Sequence, residues 1–87
     1  MSGSEVIRHE VKILPEFFRS IIEGDKTFEI RYDGDRGYQK GDLVNMREHD
    51  RGTYSGRRAV VRIKYVSSYG QKDNWVVFGF NIEEIKS

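Results

Sequence analysis

Short segments in which apolar and polar residues alternate are the feature that most constrains what this chain can fold into. Residues two apart along a strand share one face, so each such segment predicts a strand with a buried side. The predicted strands are 6–13, 26–32, 43–48, 57–66 and 75–82. Their predicted inward residues are Ile7, His9, Val11 and Ile13, then Phe28 and Ile30, then Ala59, Val61, Ile63 and Tyr65, and finally Val76, Phe78, Phe80 and Ile82.

One helix is predicted between the first two strands. Pro15 suits the first helical position, and Gly24 suits a left-handed cap after the last turn. Four apolar residues recur between them at helical spacing: Phe17, Phe18, Ile21 and Ile22. A polar, glycine-containing stretch at 49–56 predicts a hairpin loop. We therefore expect an α+β fold in which five to six mostly antiparallel strands form a closed or nearly closed β-barrel, with one short N-terminal helix packed on it.

The length and composition bound the function classes. The 87 residues allow one domain, which we place at 6–87 after a flexible N-terminus at 1–5. The chain has no cysteine, which excludes thiol chemistry and fits a cytoplasmic location. No apolar run approaches the length that spans a bilayer, so no membrane association is expected. The net charge is only +1, so any site for an anion must be a local patch. We also expect a monomer.

The second predicted strand carries the most suggestive polar residues. Glu29 and Arg31 are two apart, so their side chains should leave one face about 7 Å apart, on the side opposite Phe28 and Ile30. Lys26 lies at the entry to the same strand. Such residues could hold a phosphate or move a proton, but an exposed strand face with ordinary ion pairs is an equally simple interpretation.

Other charged and aromatic residues are less specific. His9 falls on an apolar face, where a buried, hydrogen-bonded imidazole is the simplest expectation, and neither His9 nor His49 has a second ligand at metal-site spacing. We expect no metal and no cofactor. A basic and aromatic stripe could form a nucleic-acid platform or a solvated strand face. Its members are Arg57, Arg58, Arg62, Lys64, Tyr65, Tyr69 and Trp75.

The run from Gly24 to Arg31 reads Gly-Asp-Lys-Thr-Phe-Glu-Ile-Arg and contains every fixed residue of the pattern Gly-x-Lys-x-x-Glu-x-Arg. In this it resembles the activating-signal-cointegrator homology family, written ASCH, and especially a small bacterial and phage branch of that superfamily. The resemblance covers roughly residues 8–82. It extends through His9-Glu10-Val11-Lys12, Pro15, Phe18, Lys40-Gly41-Asp42, Arg47-Glu48 and Tyr54-Ser55-Gly56-Arg57.

The resemblance implies a PUA-like barrel with a cleft between helix and barrel that binds RNA or a nucleotide. The ligand-binding residues it implies are Lys26, Glu29, Arg31, His9, Lys12 and Arg57, and its candidate catalytic residues are Lys26 and Glu29. Some relatives hydrolyse acetylated cytidine or cleave RNA, but this chain has Glu29 where the hydrolases place a nucleophilic threonine. We therefore expect a binding module. The alternatives are a hydrolase acting on a modified nucleoside or RNA, and a phage or bacterial protein-interaction domain.

Overall fold

A curled sheet with one helix against it makes up the computed structural model, which describes residues 7–34 and 36–86. The elements are β1 (Arg8–Ile13), α1 (Pro15–Ile22), β2 (Phe28–Tyr32), β3 (Leu43–Asp50), β4 (Thr53–Ser67) and β5 (Trp75–Lys86). The strand order is β1-β3-β4-β5-β2, with β1 and β3 parallel and the other neighbours antiparallel. The predicted mixture of strands with one short helix is confirmed. The flexible terminus expected at 1–5 lies outside the described residues.

The sheet curls into a half-barrel and does not close, because β1 and β2 are its two edges. Two arginine side chains cross the gap between these edges, which we call the seam. Arg31 Nη2 donates to the carbonyl oxygen of Lys12 at 2.9 Å, and Arg36 Nη1 donates to that of Glu10 at 2.9 Å. Of the expected closed or nearly closed barrel, the structure shows a half-barrel whose two edges are bridged by side chains.

The helix forms where the sequence predicts it. Pro15 is at the first helical position, where its missing N–H costs no hydrogen bond. Gly24 follows the helix with φ of 84°, a conformation that favours glycine, and its N–H donates to the Ile21 carbonyl oxygen at 3.0 Å. Phe18 and Ile21 are fully buried against the sheet. No helix in the part of the chain that the structure describes is long and apolar enough to cross a membrane.

The inward faces of three strands are confirmed. The buried residues that match the prediction are His9, Val11 and Ile13 of β1, Ala59, Val61 and Ile63 of β4, and Val76, Phe78 and Phe80 of β5. Ile7, Tyr65 and Ile82 were expected inward, and all are exposed. Tyr65 turns outward because the β4–β5 register shifts between Ile63 and Tyr65, which moves later side chains to the other face. Ile7 precedes β1, and Ile82 belongs to the last part of β5, residues 81–86, in which every residue is exposed.

The hairpin between β3 and β4 is tighter than predicted. The two strands continue to Asp50 and from Thr53, so the turn is only Arg51-Gly52 and not the whole of 49–56. Both turn residues have positive φ, 52° and 82°, as a two-residue hairpin turn of the primed type requires. The polar composition of the stretch reflects exposed strand ends.

The register of β2 is the reverse of the predicted one. Phe28 and Ile30 are 45% and 47% exposed, whereas Glu29 is only 5% exposed. The prediction was wrong because it assigned the apolar residues of the alternating pattern to the core. Successive residues of a strand point to opposite faces, so the strand buries Glu29 and exposes Phe28 and Ile30. Here the inward side of β2 faces the seam, where Lys26 and Arg31 neutralise the buried carboxylate of Glu29.

Candidate functional site

A buried carboxylate held by two cations lies at the start of β2. Glu29 Oε1 accepts a hydrogen bond from Lys26 Nζ, and Glu29 Oε2 accepts one from Arg31 Nε at 3.1 Å. Glu29 is almost fully enclosed, while the two cationic side chains retain partial access to solvent. The cluster thus presents positive charge outward and keeps its single negative charge inside.

The local chain path explains how these residues meet. After α1, the N–H groups of Asp25 and Lys26 both donate to the carbonyl oxygen of Ser20, at 2.9 and 3.0 Å, so the chain turns back beside the helix. These hydrogen bonds place Lys26 just before β2, three residues before Glu29. Arg31 is two residues beyond Glu29 on the same face, and its bond to the Lys12 carbonyl oxygen anchors the cluster to β1.

These residues line a cleft of about 460 Å³ between α1, β1 and β2, which we call the seam cleft. Its lining includes Lys12, Phe17, Lys26, Phe28, Glu29 and Arg31. The charged side chains of the lining are three cations and one carboxylate, so the seam cleft is positive. Lys26 Nζ lies 5.0 Å from the ring centre of Phe17 and 5.4 Å from that of Phe28, within the range of cation–π contacts. Cations and exposed rings therefore adjoin in one concavity.

The structure places His9 away from the seam cleft. His9 Nε2 and Asp42 Oδ2 are 2.8 Å apart, and the imidazole packs on the ring of Tyr38 with centroids 4.6 Å apart. Asp42 Oδ2 also accepts from the backbone N–H of Gln39 at 3.0 Å, so the pair holds the loop before β3 in place. Burial raises the pKa of the Tyr38 hydroxyl. This geometry matches the buried, hydrogen-bonded histidine that the sequence favoured.

Arg57 is likewise engaged elsewhere. Its Nε and Nη2 donate to Glu48 Oε1 and Oε2 at 2.8 and 2.5 Å, a bidentate pair, and Ser55 Oγ donates to Oε1 at 2.6 Å. The hydrogen bonds from Arg57 lower the pKa of Glu48 below its ordinary value, despite burial. A lowered folded-state pKa means that Glu48 stabilises the fold at neutral pH and that this contribution is lost as the pH falls through that pKa. Arg57 therefore has a structural partner outside the seam cleft.

Glu48, Asp42 and Tyr38 are buried residues that the sequence interpretation missed. A signal existed for Glu48, because it shares the inward register of Val44 and Met46 on β3. No alternation of apolar residues marks Asp42 or Tyr38, which belong to a loop and are buried through contacts with β1 and β5.

The basic and aromatic stripe is divided among different partners. Arg57 binds Glu48, and Arg62 binds Glu83 at 3.2 and 3.3 Å and the Gly41 carbonyl oxygen at 3.0 Å. Tyr65 and Tyr69 are exposed. Within residues 7–34 and 36–86, no three or more His, Asp or Glu side chains lie close enough together to hold a metal ion.

Comparison with known proteins identifies relatives but no activity. The profile of a family described as "Domain of unknown function (DUF3850)" matches residues 8–80. The chain is also 37% identical over 59 residues to an "Uncharacterized 12.9 kDa protein in GpA 3'region" of Escherichia phage P2. That alignment covers 68% of this chain and 53% of the phage protein, so the chain spans about half the length of that relative.

Proposed function

The chain belongs to the DUF3850 family, and we propose that it is an ASCH-like, PUA-like module that binds RNA or a nucleotide in the seam cleft. The description of the family names no ligand, so the proposal rests on the chemistry of the seam cleft and on the Gly-x-Lys-x-x-Glu-x-Arg pattern. That pattern supplies the three residues of the buried cluster, Lys26, Glu29 and Arg31.

The observation that carries the proposal is the position of Lys26 between two exposed rings and beside Arg31. A nucleotide combines an anionic phosphate with a flat base. Lys26 and Arg31 can neutralise the phosphate, while Phe17 or Phe28 can stack on the base. Arg31 donates from Nε to Glu29 and from Nη2 to the carbonyl oxygen of Lys12. A guanidinium carries five N–H groups, so donors remain for a ligand.

The state of Glu29 supports binding over hydrolysis. Both of its carboxylate oxygens accept hydrogen bonds from cations, and the group is enclosed, so neither oxygen is directed to an attacking water. A general base must reach the proton that it removes. We assign Glu29 the task of holding Lys26 and Arg31 in position, and we assign the two cations the contact with the ligand.

Affinity should be weak to moderate and should depend on salt and on Lys26. With two or three phosphates neutralised, raising monovalent salt from about 50 to about 200 mM should weaken binding of a short single-stranded RNA by about 7- to 20-fold. Lys26→Met should weaken binding about 10-fold at the lower salt concentration, because it removes a cation from the seam cleft. Fluorescence anisotropy with labelled tetranucleotides would measure both effects.

Lys40→Met is the matched control. Lys40 is exposed and lies before β3, near the opposite end of β1 from Lys12, so the variant loses the same charge outside the seam cleft. Equal losses of affinity in the two variants, or an affinity independent of salt, would contradict the proposal.

A further inference from the structure

The seam cleft continues into two further hollows along β2. The second hollow, of about 580 Å³, is lined by Arg31, Tyr32, Arg36 and Trp75, and the third, of about 320 Å³, by Gln71, Lys72 and Trp75. Ile30 lines all three. We propose that the ligand is a single-stranded nucleic acid of at least two nucleotides, laid along β2 from Lys26 to Lys72. This inference rests on the proposed function and specifies its ligand.

Aromatic rings mark both ends of this path. Phe28 and Tyr32 lie on the same face of β2, four residues apart, which separates their Cα atoms by about 13 Å. Tyr32 is 56% exposed, and its ring packs edge-on against Trp75, with centroids 5.9 Å apart. A mononucleotide has one base and can occupy only one of these positions, whereas a strand of two or more nucleotides can stack on both.

The ring of Tyr32 lies close to the following turn. Gly34 has φ of 40°, and a Cβ atom built there would lie 2.5 Å from Cε2 of Tyr32. The absence of a side chain at Gly34 thus lets the ring lie against the backbone of the turn. Together with Trp75, the ring presents an aromatic surface in the second hollow.

Charge complementarity decides the occupant of this apolar path. Exposed apolar residues on an edge strand are unusual, and here Phe28, Ile30 and Tyr32 form a row. Cationic side chains lie along the row, with Lys26 at one end, Arg31 in the middle, and Arg36 and Lys72 at the other end. They outnumber the two carboxylates, Glu29 and Asp33, that line the same hollows. Alternating rings and cations match the bases and phosphates of a single strand, whereas the bases of a duplex are already stacked and paired.

Trp75 provides a specific optical probe because it is the sole tryptophan of the chain. We would titrate the protein with uridine monophosphate, with RNA and DNA tetranucleotides, and with an RNA duplex, following Trp75 fluorescence and measuring affinity by calorimetry. The single-stranded tetranucleotides should quench Trp75 and should bind at least 10-fold more tightly than the mononucleotide or the duplex. Quenching by either tetranucleotide supports the inference.

Tyr32→Ser separates the two ends of the path. It should weaken tetranucleotide binding at least 5-fold and leave mononucleotide affinity unchanged, because the mononucleotide binds in the seam cleft. The control Tyr54→Ser removes a tyrosine of the β3–β4 hairpin, which packs on His49 and Arg47, and should change neither affinity.

Three outcomes would overturn the inference. If the mononucleotide binds as tightly as the tetranucleotides without quenching Trp75, the extended path is wrong and the nucleotide-binding function remains. If the duplex binds as tightly as the single strands, the ligand is not single-stranded nucleic acid. If none of the probes binds, both the inference and the proposed function fail.

Discussion

Replacing Glu29 with glutamine should lower the free energy of unfolding by about 2 to 4 kcal/mol. Removing one partner of a fully buried ion pair typically costs about 3 to 5 kcal/mol. The neutral amide would leave Lys26 and Arg31 close together without a compensating charge. Their partial exposure lets water relieve part of this cost. Urea denaturation of the variant and the wild type would measure the effect, provided that the free energy of unfolding falls with urea concentration at the same slope in both.

Glu10→Gln is the matched control for this experiment. Glu10 also lies near a cation, Arg47, at 3.4 Å, but both side chains are well exposed, so this variant should lose less than about 1 kcal/mol. A loss from Glu29→Gln as small as that from Glu10→Gln would show that Glu29 is an ordinary surface charge and that β2 has the register predicted from alternation.

Replacing Phe78 with alanine should cost about 3 to 5 kcal/mol, the range for truncating a buried phenylalanine. Phe78 is fully buried and packs on Tyr38 and Phe80, with ring centroids 4.9 and 6.3 Å away. Phe28→Ala makes the same chemical change on an exposed face and should cost only about 1 kcal/mol. Chemical denaturation of both variants under the same conditions gives the comparison.

The alanine variant at position 78 could leave too little folded protein to measure, because a small domain has only about 5 to 15 kcal/mol of stability. Phe78→Leu keeps most of the apolar volume and should still be destabilised more than Phe28→Leu. Equal losses at the two positions would mean that the ring of Phe28 is buried in solution.

Local signals in the sequence predicted much of this fold. Pro15 and Gly24 bound the helix because each acts through its own backbone restriction. The inward faces of β1, β4 and β5 followed from alternation, since those strands have one face on the core. The parallel pairing of β1 with β3 could not be read from the same signals, because it depends on contacts between residues far apart in the chain.

Four of the six residues predicted for the candidate site line one cleft in the structure, and two lie elsewhere. The pattern from Gly24 to Arg31 named Lys26, Glu29 and Arg31, and the structure brings these side chains together with Lys12 at one cleft. Alternation placed Glu29 on the exposed face because a hydrophobic pattern assigns charged residues to the surface. It cannot predict that two cations will neutralise a buried carboxylate. The partners of His9 and Arg57 could not be read from the sequence, since Asp42 and Glu48 lie 33 and 9 residues away.

A chemical-shift titration of the labelled protein with uridine monophosphate tests nucleotide binding in the seam cleft most directly. The largest shifts should fall on the amides of Lys26, Phe28 and Arg31, with Lys12 affected through its carbonyl contact to Arg31. The amides of the β3–β4 hairpin should not move. Shifts confined to that hairpin or to the outer basic residues of β4, or no shifts at millimolar nucleotide, would contradict the seam cleft as the binding site.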